Sequence, residues 1–148
     1  MCAFSSQYSS TDPFHLERFV LAQDPVYKHV LSELQAGEKM SHWMWFIFPQ
    51  IRGLGRSSIS IEYAISSRDE ARAYLQHPVL GARLKECTRL VLLVERRSAF
   101  EIFNEPDDMK FRSSMTLFAQ VSSDDDIFER ALQEYFDGLP DRLTLDRL

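Results

Sequence analysis

The decapeptide Ser41-His42-Trp43-Met44-Trp45-Phe46-Ile47-Phe48-Pro49-Gln50 constrains this chain more than any other stretch. It holds both tryptophans, and no residue from Trp43 to Phe48 carries a charge. A membrane helix needs about 20 apolar residues, so the run is too short to span a bilayer. Large aromatic side chains supply much of the area that a core buries. The segment is therefore expected to be the wall around which a soluble core closes, with Pro49 barring a helix from continuing past it.

The rest of the chain suits that core. Its 148 residues fit one domain. With 45% apolar and 26% charged residues it has globular rather than disordered composition. The net charge of −5 conceals a segregation: −3 over residues 1–38, +5 over 39–97 and −7 over 98–148. An acidic whole argues against nucleic-acid binding, while the basic middle third is suited to an anionic ligand. Cys2 and Cys87 form neither a CxxC pair nor a zinc-ligand spacing. The four histidines show no HxxxH or HExxH pattern, so no metal and no cofactor is expected. Residues 1–11 are serine-rich and lack the basic and apolar regions of a secretory signal. They are expected to be a flexible tail on a cytoplasmic domain spanning 12–148.

Helical periodicity dominates that domain. Asp12-Pro13 and Asp24-Pro25 read as two successive caps with proline in the first turn. Tyr27, Val30, Leu31 and Leu34 form an apolar stripe that Gly37 ends. Ser41 is placed to cap a short helix through the tryptophans. Ile59, Ile61, Tyr63 and Ile65 alternate and allow a short strand, whereas Glu62-Tyr63-Ala64 equally suits a helical turn. Ser67 with Glu70, and Ser98 with Glu101, match capping boxes. Leu80, Leu84, Cys87, Val91 and Val94 mark the longest helix, over about residues 78–95. Phe111, Met115 and Phe118 mark another; Phe128, Ala131, Leu132, Tyr135 and Phe136 mark the last, stopped by Gly138 and Pro140. The expectation is a single compact all-α domain of about six or seven helices.

Three blocks carry a family resemblance: His42 to Gln50, His77-Pro78-Val79-Leu80-Gly81, and Ser113-Ser114-Met115-Thr116-Leu117-Phe118. They resemble the signature blocks of a bacterial domain-of-unknown-function family, number 1810, over about residues 13 to 148. The resemblance implies a small multihelical fold and no established reaction. Some members carry an automatic calpastatin-like label; a calpastatin-type inhibitor is a disordered chain, which this globular composition does not match.

Three constellations hold polar chemistry. In the first, Trp43 and Trp45 offer faces for a planar ligand, Gln50 an amide, and His42 a candidate general base; the structural alternative buries the tryptophans and leaves His42 as a cap. In the second, Arg52-Gly53-Leu54-Gly55-Arg56-Ser57 couples a glycine turn to two arginines, a weak match to a phosphate loop since no GK[ST] ending follows. Its alternative is a solvated surface turn. In the third, Lys110, Ser113 and Ser114 share a helical face after Asp107-Asp108. Lys110 there is a candidate activated amine, against a structural reading of capping aspartates and small packing serines. Asp124-Asp125-Asp126 lacks the spaced ligands of a calcium loop and reads as a negative helix start.

Together these residues point to a small anionic ligand, nucleotide-like or phosphorylated, bound by Trp43, Trp45, Gln50, Arg52, Arg56, Ser57, Lys110, Ser113 and Ser114. His42 and Lys110 are the candidates for any proton transfer. The competing expectation is a protein interaction module centred on an exposed Trp45 or Phe48.

Overall fold

The computed structural model describes residues 11–148, so all but Thr11 of the expected tail lies outside the described residues. Those residues form ten helices rather than six or seven: α1 Glu17–Gln23, α2 Tyr27–Ala36, α3 Met44–Ile47, α4 Ser58–Glu62, α5 Arg68–Gln76, α6 Leu80–Leu93, α7 Ala99–Phe103, α8 Asp107–Val121, α9 Ile127–Phe136 and α10 Arg142–Asp146. The surplus comes from short pieces. Helix α4 lies where the isoleucine alternation allowed a strand, and α10 follows the Gly138–Pro140 stop. The alternation survives only as an isolated parallel bridge between Ile51 and Ile65.

Local chemistry explains several of the boundaries. Gly37 adopts the left-handed conformation (φ 74°), and the N–H groups of Gly37 and Glu38 reach back to the carbonyls of Leu34 and Glu33, closing α2 with a Schellman turn. Ser98 and Glu101 complete a reciprocal capping box on α7. Ser67 caps α5 by accepting from the Glu70 N–H. The Glu70 carboxylate instead accepts from Ser66 and pairs with Arg18 at 2.9 Å. Asp12 does bind backbone donors, at Leu16 and Glu17, but residues 13–16 turn first, and His15 takes a positive φ of 53°.

Helix α8 is the hub. Phe111 and every residue from Ser113 to Phe118 are buried, and a helix buried all round belongs in the middle of a fold. It packs against α5, α7, α9 and α10. The tryptophan block meets it edge-on: Phe48 lies 5.0 Å from Phe111 and 5.9 Å from Phe103, ring to ring, and Phe111 stacks on Phe103 at 4.8 Å. Burying one such side chain stabilises by about 1.5–3 kcal/mol, against about 0–1 kcal/mol for a surface ion pair. The aromatic contacts of Phe48, just past α3, with α7 and α8 therefore tie the tryptophan block to the hub. The decapeptide is an interior wall, as its composition requires: Trp43, Met44, Ile47 and Phe48 are all buried.

Candidate functional site

Past the tryptophan block the chain runs extended from Pro49 to Arg52, tied on both sides to Ile65. The Ile65 N–H donates to the Gln50 carbonyl and the Arg52 N–H donates to the Ile65 carbonyl, each at 2.8 Å. The backbone then turns at Gly53, with φ 94°, and enters α4, capped by the Ser57 hydroxyl. Between this loop and the tryptophan block lies a cleft of about 290 Å³, walled by Trp45, Gln50, Arg52, Ile61, Tyr63 and Ser66. It shares Arg52, Gly53 and Gly55 with a shallower hollow of about 700 Å³ that also carries Arg56 and Arg147. Among the described residues, no aspartate or glutamate lines either space. Arg52 and Arg56 are exposed and form no ion pair with a described residue.

Burial and the adjacent Glu62 carboxylate, with which the Tyr63 hydroxyl interacts, raise that hydroxyl above its ordinary value. The Gln50 amide makes no side-chain hydrogen bond to a described residue and offers both a donor and an acceptor. The lining thus holds guanidinium groups, hydroxyls, an amide and aromatic rings. Its chemistry is charge neutralisation, stacking and hydrogen bonding.

The expected site residues separate into groups. Trp45, Gln50, Arg52 and Arg56 come together at this cleft. Lys110 touches it indirectly: its Nζ sits 5.1 Å from the centre of the Trp45 ring and 3.5 Å from Asp107. Asp107 also pairs with Lys39 at 2.8 Å, and Lys39 lies 5.0 Å from the Trp43 ring. Two lysines, each over one tryptophan, thus share a single carboxylate, a pairing that occupies the Lys110 amine.

The other expected residues lie elsewhere. Trp43 is 1% exposed, and its indole N–H donates to Glu33 at 2.9 Å; a buried ring has no face for a ligand. His42 is exposed and makes no side-chain hydrogen bond to a described residue, so nothing orients it as a base. Ser57 is committed to capping Ser60. Ser113 and Ser114 are buried in the hub helix. Phe48 is fully buried and Trp45 half-buried, so neither centres an exposed docking patch.

Arg147 carried no local signal, because long-range docking brings it to the cleft. Asp141 accepts from the Ser113 hydroxyl (2.9 Å) and from Thr144 within α10, while its own N–H donates to Thr116 Oγ1 at 2.8 Å. Ser113 and Thr116 of α8 thereby fix the start of α10. Arg147, at the far end, donates to the Gly53 carbonyl at 3.1 Å. A Cβ on Gly53 would come within 2.6 Å of Arg147 Nε. The positive φ is what favours glycine there, and a larger side chain would also push the guanidinium aside.

No curated protein matches the chain. The crystal structure of the conserved hypothetical protein Rv1873 from Mycobacterium tuberculosis shares the fold with a TM-score of 0.91 and 55% sequence identity, over 93% of this chain and 98% of that one. A family model described as a protein of unknown function matches residues 13–148. The match spans nearly all of the helical domain built around the tryptophan block, and the chain belongs to that family, DUF1810.

Proposed function

We propose that the cleft beside the tryptophan block binds a small anionic ligand, nucleotide-like or phosphorylated, in the cytoplasm. The observation that carries this reading is the composition of the cleft and its mouth: Arg52, Arg56 and Arg147 with Trp45 and Tyr63, and no carboxylate lining them among the described residues. In a chain of net charge −5, such a concentration of unneutralised guanidinium attracts anions over neutral solutes. Guanidinium forks match phosphate oxygens bidentately. The free, buried thiol of Cys87 is in keeping with a reducing compartment.

The test is thermal denaturation with a panel of phosphorylated metabolites and inorganic pyrophosphate at low ionic strength. A ligand at a hundredfold excess over its Kd stabilises by about 2.7 kcal/mol. That gain should disappear in the Arg52→Ala/Arg56→Ala double variant. No stabilisation by any member of the panel, or a gain that survives the double substitution, would overturn the proposal.

A further inference from the structure

We infer that the two adjoining spaces divide one ligand between them: a planar heteroaromatic ring against Trp45 and Tyr63, and a diphosphate across Arg52, Arg56 and Arg147. This describes a nucleoside 5′-diphosphate or a larger nucleotide built on one, with Arg147 distinguishing it from a monophosphate. The inference rests on the anionic-ligand reading above and deepens it.

Size and chemistry both support the division. Small-molecule pockets run to about 300–1,000 Å³. The inner space, at about 290 Å³, is at the small end and suits a ring system rather than a whole charged ligand. Its walls are Trp45 and Tyr63, with the Gln50 amide available to a ring edge that both donates and accepts. The outer space is larger, about 700 Å³, more open, and carries three arginines. A single phosphate is satisfied by one or two guanidinium forks; three on one rim suit two linked phosphates.

Arg147 differs from the other two. The Arg52 and Arg56 side chains make no hydrogen bond or ion pair to a described residue, whereas Arg147 is held by the Gly53 carbonyl and by the docking of α10 onto Ser113 and Thr116. One of its five N–H donors is engaged there, which leaves the others for an anion. A guanidinium ordered before the ligand arrives loses less freedom on binding. Ser113 is then a positioning residue for Arg147, acting through Asp141.

The experiment is isothermal titration calorimetry of the full chain with adenosine and guanosine 5′-monophosphates, the matching diphosphates, and inorganic pyrophosphate. At least one diphosphate should bind about tenfold or more tighter than its monophosphate and than pyrophosphate. Arg147→Ala should bring that diphosphate to within about twofold of its monophosphate, and Arg147→Lys should recover part of the difference. Ser113→Ala, which touches no ligand, should weaken the diphosphate more than the monophosphate. Trp45→Leu should weaken the nucleotide and leave pyrophosphate unchanged, with Trp45→Phe retaining most of the affinity and serving as the test if the leucine variant does not fold. Pyrophosphate binding as tightly as every nucleotide would overturn the division of the ligand and leave the anionic-ligand reading standing. A diphosphate preference unmoved by Arg147→Ala would overturn the role of Arg147 alone. No binding by any of these anions would overturn both readings.

Discussion

Glu33 is where the fold of the tryptophan block can be tested most directly. This carboxylate on α2 accepts from the N–H groups of Met40 and Ser41, from the Ser41 hydroxyl, and from the Trp43 indole. Replacing it with alanine has unequal consequences for these donors. Met40 and Ser41 are exposed, so water replaces the lost acceptor, and each bond costs only the net value of about 0.5–1 kcal/mol. Trp43 is 1% exposed, and its indole N–H is left without an acceptor, at about 1–3 kcal/mol. Glu33→Ala should therefore destabilise by about 2.5–6 kcal/mol. Glu33→Gln keeps one acceptor oxygen and should cost about 1 kcal/mol. Urea denaturation followed by tryptophan fluorescence reads this as a fall in midpoint at constant slope. The pH dependence adds an independent check. Burial raises the Glu33 carboxyl, but hydrogen bonds from Ser41, Met40 and Trp43 together outweigh it and leave the folded value below the ordinary one. The unfolded chain then binds more protons between the two values, so this contribution is complete above the ordinary carboxylate range and is lost as pH falls through the folded value. The gap between wild type and Glu33→Gln should narrow on acidification. A loss under about 0.5 kcal/mol for Glu33→Ala at pH 7, or a gap that widens in acid, would refute this account of how α2 holds the block.

Three further outcomes follow from single contacts. Gly81→Ala would put a Cβ 2.0 Å from the Leu75 carbonyl oxygen, a clash with backbone that cannot rotate away; it should cost about 3 kcal/mol or more, and a melting temperature within a degree of wild type would contradict the close approach of α6 to the end of α5. Ser114→Ala should be neutral or stabilising by up to about 1 kcal/mol, because the buried Ser114 hydroxyl has no hydrogen-bond partner among the described residues; destabilisation by more than that would mean a partner exists. Cys87 should resist alkylation at pH 8 in the native protein and react in urea, since burial pushes its thiol up to about 12. Peptide mapping that finds Cys87 modified at native protection levels equal to those in urea would refute it.

What the sequence disclosed was whatever local spacing carries. The stripe Leu80, Leu84, Cys87 and Val91 is buried on α6, the capping box at Ser98 is complete, and Gly37 ends α2 with a positive φ. Trp45, Gln50, Arg52 and Arg56 were identifiable because the block and the glycine turn adjoin in the chain. Three features depended on tertiary contacts that spacing does not encode. Lys110, Ser113 and Ser114 do have the helical spacing expected of them, but the stretch of α8 from Ser113 to Phe118 is enclosed, so the two serines became internal. Helix α10 is five residues long, too short for a period to show, and Arg147 reaches Gly53 across a separation of 94 residues. Glu33 read as an ordinary polar position of α2; its partners Met40, Ser41 and Trp43 lie beyond the Gly37 turn, where helical periodicity no longer applies.

The segregation of charge along the chain makes the cleft more informative than its arginine count suggests. A basic middle third between two acidic flanks would be expected to neutralise itself on folding, and elsewhere it partly does. Lys39 pairs with Asp107, Lys85 with Asp125 and Arg83 with Asp24, each joining a cation of the middle third to a carboxylate of a flank. Glu70, an acid of the middle third, is in turn met by Arg18 from the first. Arg52 and Arg56 belong to the same basic segment, yet among the described residues the fold brings no carboxylate into the spaces they line. What it brings from the acidic last third is Arg147, carried there by the Asp141 anchor on Ser113. Adding a third guanidinium where an acid would relieve the repulsion destabilises the free protein, and a bound anion is the component that would remove that cost. Added pyrophosphate should therefore stabilise the wild type more than Arg147→Ala, and an equal gain in both would separate Arg147 from the proposed anion site.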